Sequence, residues 1–266
     1  MKNKASTPLV FDINRASTVD GPGIRTTIFF KGCNLDCFWC HNPESKSPRP
    51  QLGLFAEKCI RCGVCKKVCV HPEECIMCGM CAENCPAEAR KLYGKFYSVD
   101  ELYRITLADR DYYEATGGGV TFSGGECMLY PEFIGELAKM CFHSGISVSV
   151  DTAGNIPWNH FERVLPYVDC FRYDIKALDP ELHRAGTGAG NALILDNLEK
   201  LIQTGKSILI RTPVIPGYND GDELEKISRF CAVRGLPHEK LKYHTIGESK
   251  KAALHLVCSN PSTPYV

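Results

Sequence analysis

The chain has 266 residues, long enough for one large domain or for a domain carrying an insertion. Its 31 basic and 31 acidic side chains balance, so no global field draws it to nucleic acid or an anionic membrane, and neither is expected as a partner. The opening MKNKASTPLVFDINR offers only a four-residue apolar run before Asp12, too short for a secretory core or a membrane span, so a cytoplasmic protein is expected.

Leu9 to Ile13 and Thr26 to Phe30 read as short strands separated by the turn-rich Asp20-Gly-Pro-Gly23. The second strand runs into GCNLDCFWCHNPE, Gly32 to Glu44, where Cys33, Cys37 and Cys40 stand in a C-x3-C-x2-C arrangement. Each iron of a cubane 4Fe-4S cluster needs one ligand from outside, so three thiolates satisfy three irons and leave the fourth open for chemistry. The bland alternative, three buried or disulfide-linked cysteines, suits a chain of this length poorly. The chain holds 16 cysteines, 11 of them between Cys33 and Cys85, a density that in a reducing compartment points to metal ligation. The other five, Cys127, Cys141, Cys170, Cys231 and Cys258, are scattered and read as small apolar residues.

Beyond the Pro-rich spacer of Pro43 to Pro50 lies an internal repeat. Cys59, Cys62, Cys65 and Cys69 stand as C-x2-C-x2-C-x3-C, and Cys75, Cys78, Cys81 and Cys85 repeat the pattern sixteen residues later, with Gly63 matched by Gly79. This is the ferredoxin run, in which three close thiolates hold one 4Fe-4S cluster and the fourth reaches across to a second. Only five residues separate Cys69 from Cys75, so crossed ligation is expected to be strained. Paired C-x2-C knuckles also bind zinc, but the third and fourth cysteines of each copy favour iron–sulfur.

From Ser98 onward helices and strands alternate. Ser98 and Glu101 form a capping box for a helix expected to run to about Ala115. A glycine-flanked strand follows at Val120 to Phe122, then an amphipathic helix from Pro131 to His143. Further strands are expected at Ile146–Val150, Cys170–Ile175, Ser207–Val214 and Leu241–His244. Helices lie between them at Asn159–Leu165, Asn191–Thr204 and Asp222–Arg234. Six parallel strands imply an α/β fold, an incomplete (β/α)6 TIM-like barrel open along one side, built from residues 1–48 and 92–266. Residues 49–91 are then a ferredoxin-like insertion after the first barrel strand.

Polar side chains at strand ends converge on a barrel mouth, which singles out Asp151-Thr152, Asp174-Ile175-Lys176, Arg211 and His244. Each alone is more often an ion pair, a helix cap or a structural hydrogen bond than a ligand. Together they supply cations for a carboxylate and oxygens for a hard cation. Gly124 and Gly125 in Ser123-Gly-Gly-Glu126 let backbone approach a ligand at a strand end, although a plain tight turn is the simpler reading of that motif alone.

Asp20-Gly-Pro-Gly-Ile-Arg25, CNLDCFWCHNPE, SGGE, Asp151-Thr152, Asp174-Ile-Lys176, RTPVIPGYND from Arg211 and YHTIG from Tyr243 follow one another in an order that resembles the glycyl-radical enzyme activating enzymes. These belong to the radical S-adenosylmethionine (SAM) superfamily, and the likeness runs from about Phe11 to Lys250. The resemblance implies that Cys33, Cys37 and Cys40 hold the catalytic cluster and that SAM chelates its open iron. One electron then cleaves SAM to methionine and a 5'-deoxyadenosyl radical, which removes hydrogen from a backbone glycine of a partner glycyl-radical enzyme under anaerobic conditions. It further implies that Trp39, Cys40, His41, Gly124, Gly125, Asp174, Ile175, Lys176 and His244 surround SAM. Asp151, Thr152 and Asp174 would sit at a monovalent cation, and Asp20 would meet the partner's glycine loop. Arg211, singled out above as a strand-end cation, is grouped with these as a further candidate for that loop or the cation. The insertion resembles that of the subgroup serving dehydratases, lyases and decarboxylases; it implies two more clusters as an electron relay or a docking platform, with flavodoxin or ferredoxin as donor.

Two departures carry structural expectations. Cys127 stands where the family has proline. The tail LHLVCSNPSTPYV, with two prolines, occupies the place of a closing helix, which is therefore expected to be missing. The alternatives are a radical SAM enzyme acting on a small molecule or another peptide and, from a different class, an iron–sulfur electron carrier or a zinc-binding module.

Overall fold

The computed structural model describes residues 7–258 and arranges the strands of the chain mainly in one eight-stranded sheet. β1 (Leu9–Ser17) and β2 (Arg25–Phe30) pair antiparallel around the Asp20 turn. The cysteine-rich stretch that follows is bracketed by a small antiparallel pair, β3 (Gln51–Leu54) and β4 (Arg90–Tyr93), and contains α1 (Val64–Val68) and α2 (Met80–Glu83). A two-residue strand, β5 (Lys95–Phe96), then returns to the edge of the main sheet beside β1.

The alternating part follows as α3 (Val99–Leu107), α4 (Arg110–Thr116), β6 (Gly119–Gly124), α5 (Pro131–His143), β7 (Ser147–Thr152), α6 (Trp158–Val164) and β8 (Cys170–Asp174). It is completed by α7 (Pro180–Thr187), α8 (Ala192–Gln203), β9 (Ser207–Val214), α9 (Asp222–Val233), β10 (His238–Lys242) and α10 (Ile246–Cys258). The strand order β10-β9-β8-β7-β6-β2-β1-β5 contains the six parallel strands expected of an incomplete barrel, with antiparallel β1 and β5 added on one side. Among the described residues no helix is long and apolar enough to cross a membrane.

Period-two alternation sorts the strand side chains between two environments. Ile28, Phe30, Val120, Phe122, Val148, Val150, Phe171, Tyr173 and Ile210 are fully buried in the main core. They share that core with Ile134, Leu137, Phe161, Leu198 and Ile227 of the surrounding helices. The intervening residues Thr27, Thr121, Ser149, Asp151, Arg172, Asp174, Arg211 and Glu239 belong to the opposite face. That face is polar.

The capping box forms as expected: Ser98 Oγ accepts from the Glu101 N–H at 3.1 Å and Glu101 Oε2 accepts from the Ser98 N–H at 2.7 Å. Ser98→Ala should therefore lower the urea midpoint by an amount equivalent to about 1 kcal/mol. The helix it starts does not reach Ala115 unbroken. It stops at Leu107 because Asp109 turns inward, accepting from Arg15 Nε at 3.0 Å and from the Thr26 hydroxyl at 2.6 Å. Three other expectations change. α7 was not anticipated; Asp179 caps it, accepting from the Glu181 and Leu182 N–H groups, with Pro180 in its first turn. β10 begins at His238 and ends at Lys242, leaving His244 in the turn beyond it rather than at the strand end. As an edge strand of sequence HEKLK it takes its register from parallel pairing with Ile210–Val214, without an apolar alternation of its own. A helix does follow the YHTIG segment: α10 buries Ala253 and Leu254, the latter clustered with Phe11 and Tyr93, while the tail prolines Pro261 and Pro264 lie outside the described residues.

Candidate active site

The three-cysteine loop leaves β2 and lies across the carboxyl ends of the parallel strands. Its backbone is tied at several points: Gly32 and Cys33 donate to the Ser45 and Lys46 carbonyls at 2.7 and 3.1 Å, and Asp36 and Phe38 donate to Thr187 and Gly186 at 2.7 and 3.2 Å. The unanticipated α7 is thus one wall of the loop. Gly186 is obligatory there, since a Cβ would come within 2.3 Å of the Tyr218 hydroxyl and 2.7 Å of the Trp39 ring. On the other side Gly125 and Glu126 donate to Phe30 and Gly32 at 2.9 and 2.8 Å, so the end of β6 is stitched directly to the loop.

Beneath the thiols lies a second apolar cluster of Leu35, Cys37, Trp39 and Ile215, with Cys33, Cys40, Ala153, Tyr218 and Tyr243 packed around it. The Trp39 and Tyr218 rings pack tilted by 44°, with centroids 4.7 Å apart. Burial pushes the Cys33 thiol up to about 12, against the opposing Leu35 N–H, and raises Cys37 and Cys40 as well, with Lys176 acting to lower Cys37. Neutral thiols are therefore the resting form without metal, and a bound cationic centre must displace their protons. His41 stacks on His244 at 3.7 Å between ring centroids, and burial, His244 and Lys250 all lower its pKa.

Glu126, quoted in the sequence motif but given no role, is the post at the centre of this end of the sheet. It is buried and accepts from Thr152 Oγ1 at 2.9 Å, the Ala153 N–H at 2.9 Å and the Met128 N–H at 3.1 Å. Burial, only partly opposed by these donors, raises its carboxyl to about 7. A raised carboxyl favours the protonated native form, so this group's contribution to stability is full below the ordinary carboxyl range and falls as pH rises toward about 7. Glu126→Gln should remove that slope. Between about pH 5 and pH 8 the urea stability of the variant should rise relative to the parent by on the order of 3 kcal/mol.

On the polar face the strand register sets acids and bases side by side. Asp151 is aligned with Arg172, Asp174 with Arg211, and Arg211 with Glu239. The Arg211 guanidinium lies 2.9 Å from Asp151 and 3.9 Å from Asp174, and Lys176 Nζ lies 2.9 Å from Asp174. Arg172 lies 3.4 Å from Asp151 and 3.7 Å from Asp20. Burial pushes Asp174 up, but Lys176 and Arg211 outweigh it and hold the carboxyl below its usual value. Asp20 accepts from the Ser17 and Thr27 hydroxyls at 2.6 and 2.8 Å. The sequence candidates Asp20, Asp151, Asp174, Lys176 and Arg211 are thus brought into one network. Thr152 is not: it points to Glu126, on the other side of its strand from Asp151. Arg172 and Glu239 were missed. The first stands two residues before Asp174 and follows from strand alternation; the second lies outside the strand that the sequence suggests at Leu241–His244.

Two buried nitrogens here, His41 Nε2 and Arg172 Nε, have neither a hydrogen-bond nor an ion-pair partner, whereas the other polar atoms of Arg172, Arg211, Asp151, Asp174 and Glu239 face one another in ion pairs. Such atoms bordering a soft three-thiol loop fit a polar ligand held beside an iron–sulfur centre. Among the described residues, no three His, Cys, Asp or Glu side chains gather tightly enough to hold a metal ion. A cubane asks for something else, thiolates spread around its own volume.

The two ferredoxin-type runs share one backbone conformation. Arg61 and Met77, each just before the second cysteine of its run, have φ of 54° and 55°, and Gly63 and Gly79 follow at 73° and 82°. The same left-handed positions around the second cysteine thus recur in both runs. One pocket is lined by Cys59, Cys62, Cys65 and Cys85, the other by Cys69, Cys75, Cys78 and Cys81. The fourth cysteine of each run faces the other run's pocket.

The Radical SAM superfamily pattern matches residues 27–231. The chain is 38% identical to the (2S)-3-sulfopropanediol dehydratase activating enzyme of Klebsiella oxytoca, over 96% of this chain and 87% of that one. It is 40% identical to the trans-4-hydroxy-L-proline dehydratase activating enzyme of Clostridioides difficile, over 91% of this chain and 86% of that one. The solved structure of Streptococcus suis SuiB bound to the precursor peptide SuiA matches with a TM-score of 0.55 at 14% identity, over 86% of this chain and 43% of that chain, a likeness of fold alone.

Proposed function

The chain belongs to the radical SAM superfamily and, within it, to the activating enzymes of glycyl-radical enzymes, and on that premise we propose which of its residues perform the activation. Family membership brings a 4Fe-4S cluster and SAM. Cys33, Cys37 and Cys40 are the residues that hold the cluster. When bound, the cluster supplies one electron to SAM, giving methionine and a 5'-deoxyadenosyl radical that takes a hydrogen atom from a backbone glycine of the partner enzyme.

The rest is positioning by this chain. Gly124 and Gly125 present backbone without side-chain obstruction to the amino-acid end of SAM. Lys176, anchored by Asp174, offers a cation to its carboxylate. His41, His244 and the backbone of Ile175 border the nucleoside, and the Trp39–Tyr218 layer keeps water from the thiolates. Asp20, Asp151, Asp174, Arg172, Arg211 and Glu239 line the polar concave face along which an extended glycine loop would lie. A monovalent cation at Asp151, Thr152 and Asp174 finds less support than the other sites, because Arg211 already stands between the two carboxylates.

Residues 49–91 form an inserted iron–sulfur unit with two further clusters in crossed ligation, and residues 1–48 and 92–266 form the catalytic unit. The paired four-cysteine pockets support this over a zinc-binding module. The physiological donor is a flavodoxin or ferredoxin, and the protein works in the cytoplasm. The observation that carries the whole reading is the three-thiol loop bound by main-chain hydrogen bonds to the β6 glycine turn. Anaerobic reconstitution with iron, sulfide and dithionite followed by SAM should release 5'-deoxyadenosine, and incubation with the cognate glycyl-radical enzyme should give a doublet radical signal in electron paramagnetic resonance. A fully loaded protein that leaves SAM intact would refute it.

A further inference from the structure

The two cysteine runs share left-handed positions and a short helix after the glycine but are opposite in charge, and they lie at different distances from the catalytic unit. The β3–β4 pair acts as a ruler. Its root is held to the catalytic unit: the buried Lys31, next to Gly32 and Cys33, donates to Gln51 Oε1 at 3.0 Å, and Tyr93 packs with Phe11 and Leu254. One step outward, Leu52 and Leu92 line the pocket of Cys69, Cys75, Cys78 and Cys81. Two residues further, Leu54 and Arg90 line the pocket of Cys59, Cys62, Cys65 and Cys85, a shift of about 7 Å along the strands. The second pocket is therefore proximal to the three-cysteine loop and the first is distal.

Arg61 and Lys66 line the distal pocket and Lys58 and Lys67 adjoin its lining residues Cys59 and Lys66 in the chain; all four are exposed, against the exposed acids Glu57 and Glu88. The run that builds the proximal pocket carries exposed Glu73, Glu74 and Glu83 and no lysine or arginine. The contrast lies at matching positions of the repeat: Arg61 corresponds to Met77, Lys66 to Ala82 and Lys67 to Glu83. A shared backbone requirement cannot explain it, because both copies fold alike with opposite choices. Arg61 shows the contrast at one position: it shares its left-handed φ with Met77 of the other copy, so the conformation is common to both and only the charge differs.

We propose that the distal pocket is where electrons come in, and that its basic rim docks an acidic one-electron carrier protein, a reduced flavin or iron–sulfur protein. One electron leaves the carrier, which is oxidised, and reduces the distal cluster; it then passes through the proximal cluster toward the Cys33 loop, with no atom transferred. This rests on the two-cluster reading above. Complementary charge steers such a transient encounter and sets its rate and salt dependence while demanding little buried area. The acidic rim of the proximal run repels the same carrier, which orients it on the distal side.

The test uses the full reconstituted chain and an acidic flavodoxin as probe. Binding is measured by calorimetry or surface resonance at several salt concentrations, separately from reduction of the insertion clusters by the flavodoxin hydroquinone. The double variant Lys58→Glu/Lys67→Glu should weaken binding on the order of tenfold at low salt and flatten its salt dependence. It should slow flavodoxin-driven cluster reduction in parallel, while iron content and dithionite-driven SAM cleavage stay at parent levels. Glu73→Lys/Glu74→Lys should leave binding equal or tighter. Unchanged flavodoxin affinity in the lysine variant, or loss of binding in the glutamate variant instead, overturns the docking assignment. So does a lysine variant that binds flavodoxin normally but loses affinity for the glycyl-radical enzyme. Failure of the parent to cleave SAM with dithionite would instead condemn the catalytic reading, and the binding measurement stands apart from it.

Discussion

Replacing any one of Cys33, Cys37 or Cys40 with alanine should abolish SAM cleavage, lowering 5'-deoxyadenosine formation by more than about 100-fold while the protein stays folded. The loop does not depend on its sulfurs for shape: main-chain bonds to Ser45, Lys46, Thr187 and Gly186 hold it, and the Lys46 ammonium donates to the Cys37 carbonyl at 3.0 Å. Removing one thiol therefore deletes a ligand rather than the loop. Iron content should fall by one cluster's share, with the absorption of the clusters proposed for residues 49–91 retained. Cys127→Ala is the internal comparison. That thiol is fully buried beside β6 and β7, donating weakly to the Phe122 and Asp151 carbonyls at 3.5 Å, and burial raises its pKa far beyond the thiolate range. Its loss should cost about 1 kcal/mol of stability and none of the iron. Equal iron loss in both variants would mean that the loop is not the cluster site.

Gly125→Ala should have the next largest effect and reach it by a different route. A Cβ at this position would stand 2.3 Å from the Gly32 carbonyl oxygen and 3.0 Å from Cys33 Cβ, so the cysteine loop must move away from β6. The displaced groups are backbone and a proposed ligand rather than the far end of a flexible chain. A misplacement on the order of 1 Å at a reacting centre costs about 100-fold in rate, and overpacking here costs about 1–3 kcal/mol of stability. Gly190→Ala meets only a guanidinium nitrogen at 3.5 Å, ordinary contact, and should be neutral in both measurements. Substituting Gly125 without loss of SAM cleavage would show that the loop tolerates a second seating, and the close approach would lose its meaning.

The chemistry of this protein was readable in one dimension wherever it depends on residue spacing. C-x3-C-x2-C, the doubled C-x2-C-x2-C-x3-C and the Ser98 capping box are local patterns, because loop and cap geometry need only neighbours in the chain. The buried strands Thr26–Phe30 and Ile146–Val150 were equally plain, being short apolar runs between turns. β10 is misplaced by sequence because an edge strand borrows its register from its neighbour, and α7 escapes it because Pro180–Thr187 carries more polar than apolar side chains.

What only the tertiary structure decided are relations between segments far apart in sequence. The crossing of Cys69 and Cys85 between pockets, the wall that Gly186 and Thr187 make for Asp36 and Phe38, and the alignment of Asp151, Arg172, Arg211 and Glu239 arise when strands and runs are laid side by side. Residue order specifies which groups a segment carries, since that is set by covalent spacing. Which of them meet is set by burial of the strands' apolar face against the surrounding helices, and the same act of packing turns every alternate polar residue toward a common concave surface.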